Sequence, residues 1–120
     1  MIDLTRAREI AEEWLSAWNA HDLERVLSHY ADALEFVSPL VIRRLDRKDG
    51  TIRSKRELRD YFAQSLGPNS DLRFDLIDVL AGVSSVGLVY RNHRGQTVAE
   101  TMVLNGDGKV TRVFVHHRGD

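Results

Sequence analysis

No cysteine occurs among the 120 residues, which removes disulfides, thiolate nucleophiles and cysteine-ligated zinc together. No excess of one charge is present either: 17 basic and 18 acidic side chains leave a net charge of −1, with no long run of either sign. Nucleic-acid and membrane-surface partners need a concentrated basic face, so neither is expected. Long apolar runs are missing as well. The opening "MIDLTRAREIAEEW" carries charges throughout, so neither a signal peptide nor a membrane span is expected there. Repeats, low-complexity segments and linkers are absent. The length therefore suits one domain over residues 1–120, large enough to bury a core without staples. A thiol-free, water-soluble chain of this kind is compatible with a reducing, cytoplasmic home.

What is present is periodicity. Leu4, Ala7, Ala11, Trp14 or Leu15, and Trp18 recur at helical spacing and predict a first helix over about Thr5 to Asn19. Asp22 is a fair N-cap for a second helix carrying Leu23, Val26, Leu27 and Tyr30. "ALEFVSPLVIRRL" reads as one strand or a bent pair of strands, and "RKDGTI" as a turn. In that strand Phe36 and Ser38 share a face, and Pro39 ends regular pairing. A small polar residue beside a large aromatic is how a pocket rim often reads. Ser54 to Glu57 is a capping box opening a third helix, with Leu58, Tyr61, Phe62, Ser65 and Leu66 inward, stopped at Gly67-Pro68.

From Asp71 the period becomes two, with a phase break at Ile77 and Val79 that suggests a bulge. Three further strands are expected over Ser84–His93, Thr97–Asn105 and Lys109–His117, joined by turns in "NHRGQ" and "NGDG". Helices first and an antiparallel meander afterwards make an α+β fold, its sheet curled around the helices. Val103 and Phe114 lie opposite Met102 and Val113, so the outer sheet face is apolar too and a homodimer is plausible. No pair of histidines has metal-like spacing, so no metal site is predicted.

The stretch "WNAHDLERVLSHYADALEFVSP", the G-x-I-x-x-K-x-x-L-R-x-Y-F segment from Gly50 to Phe62 and the closing strands together resemble the nuclear transport factor 2-like superfamily. The SnoaL-like and ketosteroid-isomerase-like branch is the most similar, and the likeness spans nearly the whole chain. The resemblance implies a cone, a curved antiparallel sheet wrapped around three helices of the N-terminal half, with an apolar pocket and a homodimeric pairing. It says less about activity, because this scaffold serves isomerases, cyclases, dehydratases, epoxide hydrolases and non-enzymatic binders. In ketosteroid isomerases the residue before this proline is an aspartate base. Here it is Ser38, whose hydroxyl alone does not take a proton from carbon near neutral pH. The family's hydrogen-bonding acid falls on Glu100, its helix-one tyrosine on Trp14, and a second network tyrosine on Tyr30.

Register arithmetic also turns Glu100 inward. A turn centred on Gly106-Asp107 pairs it with Val113, with Val98 and Met102 on its face and Val115 and His117 continuing the set. A carboxyl among such neighbours should have a raised pKa. The bland alternative is a solvated residue, or one paired with Arg91 across the hairpin. His117 is an acid/base candidate or the end of a frayed strand. Trp14, Trp18, Phe36, Tyr61 and Phe62 read first as core, but around a cavity the same rings also form its wall. With Ser38, Met102, Val113 and Val115 they make the expected ligand pocket. Epoxide hydrolysis needs an Arg-x-Asp strand that is missing, and the dehydratase set is incomplete. Two readings follow. One is a cofactor-independent lyase, isomerase or cyclase acting on a small, mostly apolar carbonyl compound through Glu100, Tyr30 and His117. The other is a non-catalytic ligand-binding or dimerisation module.

Overall fold

The computed structural model describes residues 1–118. Helix α1 (Leu4–Asn19) starts at Asp3, whose carboxylate accepts the Arg6 N–H at 2.8 Å. Its buried stripe is Ala7, Ile10, Ala11, Trp14, Ala17 and Trp18. Leu4 lies off that stripe and is exposed, so the first turn of the expected core face points to water. Asp22 caps α2 (Leu23–Leu27) as expected, but the helix ends before Tyr30. Tyr30 instead opens strand β1 (Tyr30–Val37), where Leu34 and Phe36 alternate inward with exposed Ala33 and Glu35.

The expected strand stops at Val37. Pro39 is the first residue of a helix, α3 (Pro39–Leu45), because its fixed φ suits a first turn whose N–H has no partner in any case. Ser38 is the cap, its hydroxyl accepting the Leu40 N–H at 3.3 Å. Of the apolar run Leu40 to Leu45, Val41 alone is fully buried, which is one stripe of a helix and no face of a strand. The chain reverses through Asp46 and Gly50, at φ of +50° and +63°, into a short strand, β2 (Thr51–Ser54), whose first residues the sequence assigns to a turn. Ile52 pairs with Phe36 and Thr51 with Val37, so β1, α3 and β2 form a hairpin with a helix at its tip.

Ser54 caps α4 (Lys55–Ser65) by accepting the Glu57 N–H at 3.1 Å. The Glu57 carboxylate turns away to Arg47, at 2.7 and 2.6 Å, so only half of the expected capping box forms. The remaining strands are β3 (Asp75–Ala81), β4 (Ser85–Arg91), β5 (Thr97–Leu104) and β6 (Val110–His117). The expected bulge is present between Leu76 and Asp78. Residues 71–74 precede β3 without joining the sheet, although Leu72 is buried. Six strands make one sheet in the order β2-β1-β6-β5-β4-β3, with β1 and β6 parallel and every other pair antiparallel. The sheet curves without closing, and α1 packs on β3 to line its concave side.

The two hairpins that align β4, β5 and β6 use one device. Asn92 and Asn105 each accept two loop N–H groups with the side-chain oxygen, at 2.9 to 3.0 Å. Each loop turns on a left-handed glycine, Gly95 or Gly108. The turn after β5 thus lies later than Gly106-Asp107, and Glu100 pairs with Val115, not Val113. The displacement is two residues, so its side chain keeps the inward face.

Candidate functional site

Cross-strand pairing sets the inward side chains in rows. Tyr90, Val98 and His117 form one row, and Leu88, Glu100 and Val115 the next. Val86, Met102, Val113, Phe36 and Ile52 form the third. A cavity of about 890 Å³ lies over the first two rows. Helix α1 contributes Trp14 and Trp18 to its wall, and α4 contributes Tyr61 and Phe62. Phe36, Ser38 and Val115 line it too. Tyr30, Met102 and Val113 do not. They are packed in the core, at most 1% exposed, and the Tyr30 hydroxyl accepts the Trp14 indole N–H at 3.0 Å.

Glu100 is 5% exposed in the middle of β5. Its cross-strand neighbours are Leu88 and Val115, so the pairing with Arg91 is not made; Arg91 lies opposite Thr97. Its partner is Tyr90, whose hydroxyl donates to Oε2 at 2.5 Å. Oε1 is fully enclosed and has no hydrogen-bond partner among the described residues. Burial pushes the carboxyl up to about 7, against the lowering effect of the Tyr90 bond. A proton on Oε1 would make that oxygen an unpaired donor on the cavity wall. The phenols of Tyr90 and Tyr30 are both raised, by burial first and then by the Glu100 charge, so they stay neutral.

Tyr90 is the site residue that sequence reasoning missed. It sits two and four residues beyond Leu88 and Val86 on one alternating face, and its place opposite Val98 follows once the "NHRGQ" loop is given five residues. Phe74 was also missed; its ring lies 4.4 Å from that of Tyr90 and 5.9 Å from that of Trp14.

His117 lines the cavity and His116 is exposed, as the alternation requires. The last strand is therefore paired to its end. Burial holds the His117 imidazole below its ordinary pKa, and the positive charges of Arg43 and Arg44 add to the effect, so it is neutral near pH 7. Glu100 and His117 are diagonal neighbours across β5 and β6, their Cβ atoms roughly 7 Å apart. Ser38 is 3% exposed with its hydroxyl committed to the start of α3. Trp18 adds a second orphan on the wall, an enclosed indole N–H with no acceptor. No group of three or more histidine, aspartate or glutamate side chains is placed to hold a metal ion among the described residues.

Comparison with known proteins gives concordant results. The family model for the SnoaL-like domain matches residues 11–118. A SnoaL-like protein of unknown function from Burkholderia thailandensis is 36% identical, superimposes with a TM-score of 0.94 and covers 98% of each chain. An NTF2-like protein of unknown function from Cytophaga hutchinsonii has a TM-score of 0.72 at 13% identity, over 92% of this chain and 88% of that one. A ketosteroid isomerase-like protein from Kribbella flavida has a TM-score of 0.70 at 16% identity, over 95% and 78%. At these last two identities the likeness is one of fold. No curated protein matches the chain.

Proposed function

The chain belongs to the SnoaL-like family of the nuclear transport factor 2-like superfamily, and on that premise we propose that it binds a small, mostly apolar carbonyl compound and moves a proton on it without a cofactor. The observation that carries this reading is the unpartnered, buried Oε1 of Glu100, a residue that lines an aromatic cavity. A buried polar atom left without a partner costs stability, and a bound carbonyl oxygen would satisfy it. In the reaction, protonated Glu100 donates to that oxygen while neutral His117 takes a proton from the adjacent carbon. The C–H electron pair becomes the new carbon–carbon double bond, and the carbonyl pair moves onto the oxygen that Glu100 protonates. Return of the proton from His117 to a different carbon gives isomerisation; attack by the enol carbon on a second carbonyl of the same molecule, whose π pair moves onto its oxygen and takes the proton from His117 while the enol proton returns to Glu100, gives ring closure. Tyr90 holds the Glu100 carboxyl in one orientation. Tyr30, one hydrogen bond behind Trp14, is a positioning residue.

A binding module without turnover is the competing reading, and Ser38 favours it: where the isomerases carry a base, this chain spends the side chain on a helix cap. In either case we read the outer sheet face, where Val89, Ala99, Thr101 and Phe114 are half-buried, as the surface on which two copies pair.

A thermal-shift screen of planar ketones, phenols and polyketide-like aromatics, on the wild type and Glu100→Gln, tests the pocket. The binding reading expects stabilisation by ketones that the variant loses. Ligands that bind should then exchange α-hydrogen for deuterium in heavy water only with wild-type protein. Binding without exchange would leave the binding module, and stabilisation by none of them would overturn both.

A further inference from the structure

The cavity wall offers donors both in its depth and at the α3 side of its mouth. In the depth these are the orphan N–H of Trp18 and the Oε1 of Glu100 when it carries its proton. At the mouth, Arg43 and Arg44 project from the last turn of α3, and Arg94 from the β4–β5 loop. The Arg44 guanidinium lies 5.6 Å from the centre of the Tyr61 ring and 3.3 Å from the Ser65 hydroxyl, so it is held over the cavity wall. Arg44 and Arg94 make no ion pair with a carboxylate among the described residues. Among the described residues the carboxylate at the mouth is Asp71, which faces His93 at 3.4 Å. Two guanidinium groups without a carboxylate partner among the described residues make this part of the entrance cationic, whereas the whole chain is neutral to within one charge.

We propose that the ligand is a small aromatic acid, its carboxylate held at the mouth by Arg44 and Arg94, and its carbonyl-bearing body inserted between the aromatic walls toward Glu100. Guanidinium groups bind carboxylates through charge-assisted, paired hydrogen bonds, which suits α3 as an anchor. The ring stack of Trp14, Phe74 and Tyr90 suits a flat body. This inference rests on the pocket reading above and adds the ligand's charge.

The test uses three probes with one body: 6-acetyl-2-naphthoic acid, its primary amide, and 2-acetylnaphthalene. Dissociation constants are measured by tryptophan quenching and calorimetry at about pH 6, where Glu100 holds its proton. The acid should bind roughly ten-fold tighter than the amide. Arg44→Gln and Arg44→Gln/Arg94→Gln should erase that margin, the acid losing far more affinity than the amide, and high salt should shrink it. Both positions are exposed, so folding is not at risk. If acid and amide bind equally, and both weaken in Glu100→Gln, the ligand's charge is wrong and the pocket reading stands. If none of the three binds, the pocket reading falls and takes this inference with it.

Discussion

Burial lifts the Glu100 carboxyl to about 7 while the same group in the unfolded chain ionises near 4.5, so one proton is coupled to folding. Below about 4.5 both states hold the proton. Between the two values the native state keeps it and the unfolded state does not, so stability falls as pH rises through that window. At about 1.4 kcal/mol per pH unit the loss is about 3 kcal/mol, complete a little above pH 7. The tyrosines facing Glu100 stay neutral throughout. His117 and His29 are held below their ordinary pKa and act oppositely, costing stability as acid is added below about 6.5. Urea unfolding from pH 4 to 8 should therefore show a fall in wild-type stability relative to Glu100→Gln across pH 5 to 7, with the variant the more stable at pH 8. A pH-independent difference would mean that Glu100 is ionised in the native state. Tyr90→Phe removes the one bond that favours the carboxylate, so the midpoint should move upward, at a stability cost of about 1 to 2 kcal/mol.

Helix α3 carries two of the arginines at the cavity mouth, Arg43 and Arg44, and its seat depends on two small residues. Ser38→Ala should lose about 1 kcal/mol of stability with the N-cap bond, whereas Ser38→Asp keeps a capping oxygen. Gly50 is at φ +63°, and a Cβ there would stand 3.0 Å from the Ser38 carbonyl oxygen and 3.2 Å from the Ile42 side chain. Gly50→Ala should cost more than Ser38→Ala and disturb α3 itself, a loss of amide-exchange protection in residues 39–45 being the check. This corner is also where sequence reasoning was least able to see. "SPLVIRRL" has enough β-branched and apolar residues to read as strand, and only the cap chemistry at Ser38-Pro39 argued otherwise. By contrast α1, α4 and the closing meander were legible, because each repeats its period over several turns or pairs. The inward face of Glu100 and of His117 was legible for the same reason. The partner of Glu100 was not, since finding Tyr90 required the length of a loop one hairpin away. Nor was it visible that Tyr30, Met102 and Val113 would be sealed behind the wall, because alternation reports a residue's face and not how much empty space lies above it.

At the scale of the whole molecule, the convex side of the sheet and its concave side make separate demands. If two copies pair through the convex side, Phe114→Lys should convert a dimer to a monomer in sedimentation while leaving the ligand affinity of the cavity intact. A wild type that sediments as a monomer at all concentrations would sink the pairing. The bulge between Val103 and Leu104 has a separate consequence, which concerns parity. The extra residue is Thr111 on β6, since Val103 and Leu104 pair with Arg112 and Val110; it lies between the β5–β6 loop and the row that holds Glu100, and resets the inward–outward count of β6 at that point. Lengthening the chain on the loop side of the bulge, by one residue or by two, should leave Glu100 facing inward. Adding a single residue between Val98 and Glu100 should instead turn the acid out to solvent and bring Ala99 in. The loop is thus free to change length over evolutionary time, while the spacing of a few residues in β5 has to be kept.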